Sequence, residues 1–173
     1  LPTDKGYYRS PGEYGDPGRD YVFSKPESLW PFGFGLSYTE FEYSNLEITP
    51  GTVPTSAEIE IKMEVENTGN RIGKEIVQLY IKDKVASRTR PVKELKGFKK
   101  MELEPGQKES VTFILSTDQL PFYDKDMNLV VEPGLFQVMI GSSAVDIRLE
   151  DEFEVSGNGN KVVYSRKYFT EVE

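Results

Sequence analysis

Between residues 58 and 66 the chain alternates with a period of two: Ile59, Ile61, Met63 and Val65 are apolar, and Glu58, Glu60, Lys62, Glu64 and Glu66 are charged. A strand with one face on a core and the other in water gives this pattern, whereas a helix would scatter the same apolar residues around its circumference. The segment predicts a β-strand, ended by the turn signal Asn67-Thr68-Gly69-Asn70. Residues 76–83 put Val77, Leu79 and Ile81 on one face and Ile76, Gln78 and Tyr80 on the other. Apolar character on both faces predicts a more central strand. Residues 95–103, closed by Glu104-Pro105-Gly106-Gln107, predict another, and residues 109–115 bring Val111, Phe113 and Leu115 together. Residues 129–132 end at Pro133-Gly134, and residues 135–140 and 144–149 flank Gly141-Ser142-Ser143 as a hairpin. Residues 41–49 make an opening strand in which Phe41 and Tyr43 are out of phase with Leu46 and Ile48, so a bulge is expected between them. Residues 117–120 predict a single helical turn capped by Ser116 or Thr117.

About seven or eight strands with turn signals at this spacing, and no amphipathic helix, predict an all-β fold: an antiparallel immunoglobulin or fibronectin type III-like β-sandwich over residues 41–155. Residues 1–40 differ in kind. Gly6-Tyr7-Tyr8, Ser10-Pro11-Gly12, Asp16-Pro17-Gly18 and Ser24-Lys25-Pro26 are closely spaced turn signals, so an irregular extension packed by its rings is expected. In the run Pro31-Phe32-Gly33-Phe34-Gly35-Leu36-Ser37-Tyr38-Thr39, glycines permit sharp turns while aromatics pin the backbone to a packed surface. This predicts that the chain enters the sandwich from another body of protein. Ser156-Gly157-Asn158-Gly159-Asn160 reads as a hinge, and residues 161–173 as a tail that adds an edge strand or hangs free.

The charge balance narrows the function. With 21 basic and 29 acidic residues the net charge is −8, which disfavours phosphate backbones and anionic lipids, so no nucleic-acid partner is expected. No run approaches the ~18–20 apolar residues that cross a bilayer, so no membrane insertion is expected either. The start is neither a Met nor a signal peptide, and the chain reads as a fragment or processed piece. Without cysteine there are no disulfides or thiolate sites, and without histidine no Ser-His-Asp chemistry or histidine metal site.

Each candidate for chemistry has a plainer reading beside it. Asp124-Lys125-Asp126-Met127-Asn128 begins like a calcium loop, but Leu129 replaces the required glycine and Leu135 the closing glutamate, so a turn held by Asx side chains is expected. Gly69-Asn70-Arg71-Ile72-Gly73-Lys74 is one residue short of a phosphate loop, has Glu75 in place of Ser or Thr, and links two strands expected to be antiparallel. Glu150-Asp151-Glu152-Phe153-Glu154 clusters carboxylates, but glycoside cleavage needs two of them ~5–9.5 Å apart in a cleft, and a solvated rim at a strand end is expected. The one basic stretch, residues 88–98, reads either as a docking loop for an acidic neighbouring surface or as an internal pair of Arg90 with Glu94. Tyr7, Tyr8, Tyr14, Tyr21, Phe23, Trp30, Phe32, Phe34 and Tyr38 could stack on sugars, but rings ahead of a sandwich more often bind it to the preceding domain. No catalytic, cofactor or metal residue is assigned.

Several of these segments, in order, resemble the C-terminal end of family 3 glycoside hydrolases of the β-glucosidase and β-xylosidase type. They are Pro17-Gly18-Arg19-Asp20-Tyr21, the 31–41 run, Val65-Glu66-Asn67-Thr68-Gly69, Glu75-Ile76-Val77-Gln78-Leu79-Tyr80 and residues 87–98. Leu103-Glu104-Pro105-Gly106, Phe122-Tyr123-Asp124, Glu132-Pro133-Gly134-Leu135-Phe136 and Ile140-Gly141-Ser142-Ser143 complete the set. The resemblance covers about residues 17–155 and includes the family's fibronectin type III-like domain. It implies a retaining double displacement whose aspartate nucleophile, in a Ser-Asp-Trp context, and glutamate acid/base lie on two other domains. Ser-Asp-Trp does not occur in this chain, so no catalytic residue carries over and the isolated chain is expected to be inert.

The role the resemblance implies is a non-catalytic module that braces upstream catalytic domains of the same polypeptide, which act on an oligo- or disaccharide, without a cofactor. A periplasmic or extracellular location follows from family habit alone. An autonomous carbohydrate-binding module and an adhesion or interaction sandwich remain the alternatives.

Overall fold

The computed structural model describes residues 30–88 and 90–173. The predicted turns and rings of residues 1–29, and the Pro17–Tyr21 motif, lie outside the described residues. The chain divides into two units, Leu1–Pro31 and Phe32–Glu173, and the elements below all belong to the second.

Twelve strands and one short helical turn are described. Strand β1 (Phe41–Thr49) is followed by β2 (Thr52–Pro54), β3 (Glu58–Asn67), β4 (Gly73–Asp83), β5 (Glu94–Leu103) and β6 (Lys108–Ser116). A 3₁₀ turn (Thr117–Gln119) leads to β7 (Phe122–Tyr123), β8 (Leu129–Val131), β9 (Gly134–Gly141), β10 (Ile147–Ser156), β11 (Lys161–Val162) and β12 (Glu171–Val172). One sheet has the order β1-β3-β6-β12, a second β2-β10-β9-β4-β5, and a small third β11-β8-β7. All pairings are antiparallel except β2 with β10. This is the expected all-β sandwich.

The alternation in β3 fixes its register on β6: Ile59 faces Leu115, Ile61 faces Phe113 and Met63 faces Val111, and all six are fully buried. From the opposite sheet come Val77, Leu79 and Ile81 on β4, Val138 and Ile140 on β9, and Phe136 stacked on Phe153 with ring centroids 5.4 Å apart. Burying one such side chain stabilises by ~1.5–3 kcal/mol, so the packed interior is the main source of fold stability.

The phase break in β1 is resolved as anticipated. Its register on β3 shifts between Ser44 and Glu47, with Asn45 at a positive φ of 55°. The turn after β6 also forms, the Ser116 hydroxyl accepting the Asp118 amide at 3.4 Å.

Two expectations need correction. The 69–74 segment does not join antiparallel partners: β3 and β4 belong to different sheets, so it carries the chain across the sandwich. The hairpin's second strand starts and ends later than residues 144–149. The Ala144 amide is taken by the Phe32 carbonyl at 2.8 Å and the Asp146 amide by the Ser143 hydroxyl at 3.0 Å, which delays pairing until Ile147. Pairing then continues to Ser156, because Phe153 and Val155 face the core.

The tail is folded against the sandwich. Strand β11 pairs with β8 and β12 with β6, Val163 is buried, and the Thr170 hydroxyl donates to the Lys96 carbonyl at 2.6 Å.

Asn67 closes the end of β3 where the chain crosses. Its amide nitrogen donates to the Arg71 and Leu103 carbonyls, both at 2.8 Å, and its side-chain oxygen accepts the Gly69 amide at 3.1 Å and the Thr39 hydroxyl at 2.7 Å. A Cβ on Gly69 would stand 2.1 Å from Thr39 Oγ1, so glycine is required there by close approach.

Candidate functional site

The basic stretch after β4 is anchored inward at Arg90. Its guanidinium bonds Asp83 at 2.9 Å, Glu94 at 3.1 Å and the Leu120 carbonyl at 3.0 Å, and lies 5.2 Å from the centroid of the Phe122 ring. The Arg90 and Asp83 side chains are only 9% and 3% exposed, so the ion pair is buried rather than surface-bound. Lys96 adds bonds of 2.7 Å to both Glu94 and the Gln119 carbonyl, and Arg166 from the tail reaches Glu94 at 3.3 Å. Burial pushes the Glu94 carboxyl up, but Lys96 and Arg90 outweigh it and hold it below its ordinary range. Burial lowers Lys96 despite the same partner. Sequence reasoning paired Arg90 with Glu94 but missed Asp83, which sits on β4 at the far side of a loop.

A second polar cluster lies near the start of β4. The Tyr43 hydroxyl donates to Glu75 at 2.8 Å, and Arg148 stacks over the Tyr43 ring at 5.0 Å while donating to the Phe41 carbonyl at 2.6 Å. Burial raises the Glu75 carboxyl and the Tyr43 hydroxyl above their usual ranges. Asp146 is held low by hydrogen bonds from Arg148 and Ser142. These groups were not singled out from the sequence, because they come from three separate segments, around residues 41–43, 75 and 142–148. Among the described residues every buried side-chain nitrogen and oxygen has a partner.

The outer face of the five-stranded sheet is less ordinary. Register places Gln78 opposite Phe98, Tyr80 opposite Leu95 and Met139, and Ile76 opposite Lys100. Gln78, Tyr80 and Met139 are nearly inaccessible although they point away from the core. Part of the cover comes from the 31–39 run. Gly33 has a φ of 79°, and a Cβ there would stand 2.4 Å from Gln78 Nε2, so only glycine lets the backbone lie this close. Gln78 in turn donates to the Ser142 carbonyl at 2.5 Å and accepts the Tyr80 hydroxyl at 2.6 Å. Lys93 lies 5.4 Å from the Tyr80 ring centroid and donates to the Ala144 carbonyl. Beside this covered centre, Ile76, Leu95 and Phe98 remain exposed, as do Phe32, Phe34, Leu36 and Tyr38.

The remaining sequence candidates resolve into structure. Asp124 accepts the Asp126 amide at 2.8 Å and the Asn128 amide at 2.9 Å, which is the Asx-held turn between β7 and β8. The carboxylate run does not end a strand. It lies within β10, where Glu152 pairs with Lys84 and Glu150 accepts from Gln137 at 2.9 Å, so these groups form a solvated outer face. An open notch of ~390 Å³ lined by Tyr38, Thr39, Glu40, Thr68, Gly69 and Asn70 lies beside the Asn67 turn. Among the described residues no group of three His, Cys, Asp or Glu is placed to share a metal ion, and no helix is long and apolar enough to cross a membrane.

Comparison with known proteins gives a consistent answer. A family profile described as the fibronectin type III-like domain matches residues 75–144. A putative β-xylosidase of Formosa agariphila is 44% identical over 75% of this chain, which covers 17% of that protein. A periplasmic β-glucosidase of Salmonella typhimurium is 39% identical over 73% of the chain, covering 16% of its own length. The crystal structure of a β-glucosidase from Listeria innocua in complex with glucose superposes with a TM-score of 0.72 at 35% identity, over 84% of this chain and 20% of that one. The chain thus spans a fifth or less of these proteins. Its sandwich belongs to the fibronectin type III-like domains of the family 3 glycoside hydrolases.

Proposed function

We propose that this chain is the non-catalytic accessory domain of a retaining β-glycosidase, bracing catalytic domains encoded upstream that hydrolyse terminal β-linked sugars. The observation that carries the reading is the share of the match: strong identity over most of this chain, but over a fifth or less of enzymes named β-glucosidase and β-xylosidase. Residues 41–155 are the bracing module, residues 1–40 lead into it from the preceding domain, and residues 156–173 close it. The nucleophile and acid/base of the double displacement reside in the upstream domains, which also hold the oligo- or disaccharide. The parent enzyme works in the periplasm or outside the cell, a placement supported by the Salmonella relative.

Sequencing the gene ahead of Leu1 and assaying the whole product and this chain alone on aryl β-glucosides and β-xylosides tests the proposal. The whole product is expected to hydrolyse one or both, and the chain alone neither. An upstream region without catalytic domains, or turnover by the chain alone, overturns it. The exposed rings of Tyr164, Tyr168 and Phe169 favour a second reading, an autonomous sugar-binding module. Calorimetric titration of the chain with oligosaccharides separates the two, since bracing predicts no heat of binding.

A further inference from the structure

We infer that the outer face of β4 and β5, centred on Ile76 and Phe98, is the surface on which the upstream catalytic part of the same polypeptide docks, that part presenting an apolar patch of its own rimmed by carboxylates. The inference rests on the accessory-domain reading and adds to it which face is used and what chemistry meets it.

Strand β4 is interior to its sheet, with β9 on one side and β5 on the other. Its outward positions and those of β5 carry Ile76, Tyr80, Leu95 and Phe98, where a water-facing sheet would be polar. Phe98 is 62% exposed and Ile76 44%. A neighbouring strip of large apolar side chains left in water marks an interaction surface.

The rim supplies the sign of the partner. Lys100 stands opposite Ile76 in the register, and Lys82 continues the same outward row of β4. Neither makes an ion pair among the described residues. Residues 82–100 hold eight basic and two acidic side chains in a chain of net charge −8. Arg90 and Lys96 are turned inward and Lys84 is paired with Glu152, while Lys82, Arg88, Lys93, Lys99 and Lys100 make no ion pair among the described residues. An apolar centre with a cationic border fits a partner with an apolar centre and an acidic border, and complementarity of this kind sets specificity.

The choice of a same-chain partner follows from where the backbone enters. Phe32 and Gly33 lie against this face, the Phe32 carbonyl bonding Ala144 and Gly33 abutting Gln78. A domain tethered there is held at high effective concentration beside Ile76 and Phe98, so a modest patch suffices for docking.

Hydroxyl-radical footprinting of the 173-residue chain and of the whole gene product tests this. Oxidation of Phe98 and Ile76 is expected to fall at least about five-fold in the whole product, with Tyr123 and Met127 as unprotected controls. Ile76→Glu combined with Phe98→Glu is expected to leave the melting of the 173-residue chain within about 2 °C and to split the whole product's melting into two transitions. Equal oxidation in both forms overturns the inference. So does protection in the short chain that rises with its concentration, which means self-association, or protection that needs added oligosaccharide, which means a sugar site. Lost protection in a whole product that still cleaves aryl glycosides rejects this face alone, whereas an upstream region without catalytic domains rejects the accessory-domain reading.

Discussion

The Thr39 hydroxyl donates to the side-chain oxygen of Asn67 at 2.7 Å, tying the strand-entry segment to the point where the chain crosses between the two sheets. Asn67 is fully buried and uses both its donors on the Arg71 and Leu103 carbonyls. Aspartate has the same shape but cannot donate twice, and its charge would face two carbonyl oxygens. Asn67→Asp is therefore expected to cost about 2–4 kcal/mol at neutral pH in urea unfolding. The cost shrinks in acid, where a protonated carboxyl can donate once. An equal cost at both pH values would contradict this account.

Arg90 gives the second prediction. Arg90→Ala leaves Asp83 and Glu94 as buried, partly unpaired carboxylates, at a cost of about 3–5 kcal/mol. Arg90→Lys is expected to recover less than half of that, because one ammonium cannot reach Asp83, Glu94 and the Leu120 carbonyl with a planar fork and still cover Phe122. Equilibrium denaturation of the three proteins decides it; full rescue by lysine would show that charge alone matters.

Glu75 sets a dependence on pH. Burial raises its carboxyl in the folded state above the unfolded value of about 4.3, so folding favours the protonated form. Its contribution to stability is complete below that unfolded value and is lost as pH rises through the higher folded one. Glutamine does not titrate. The stability of Glu75→Gln relative to the parent is therefore expected to improve as pH rises from about 4 toward neutrality. A difference that stays flat across that interval would refute it.

Truncation after Ser156 removes β11 and β12 and frees the edges of β8 and β6. The loss of buried Val163 alone is worth ~1.5–3 kcal/mol, and the Thr170 and Arg166 bonds go with it. A lower melting temperature is expected, together with concentration-dependent association, since an uncovered edge pairs with other strands. Calorimetry and size-exclusion chromatography check the two effects, and an unshifted melting point would mean the tail contributes nothing to the fold.

Much of the fold was legible because it rests on local alternation. Residues 58–66 name their own inward face, and the clash of phase between Tyr43 and Leu46 marks the bulge at Asn45. The extent of β10 was hidden because Glu150, Asp151 and Glu152 are all exposed, so its apolar signal resumes only at Phe153. The ion-pair cluster was half visible: Glu94 lies four residues from Arg90, while Asp83 and Arg166 arrive only through tertiary folding. The outer-face patch escaped notice for another reason. Ile76, Gln78 and Tyr80 read as marks of a central strand, and only pairing with Phe98 and Leu95 reveals which of them stay wet.

Strand β1 is bonded to β3 in one sheet, and after only Pro50 and Gly51 the same backbone, as β2, runs parallel to β10 in the other. Tension applied at the entry to β1 is therefore met first by the β1–β3 ladder in one layer and then, through the short link, by the β2–β10 ladder in the other. A displacement at Phe41 would thereby be passed to both sheets and not to one alone. A strut needs that property, and a hinge would lack it.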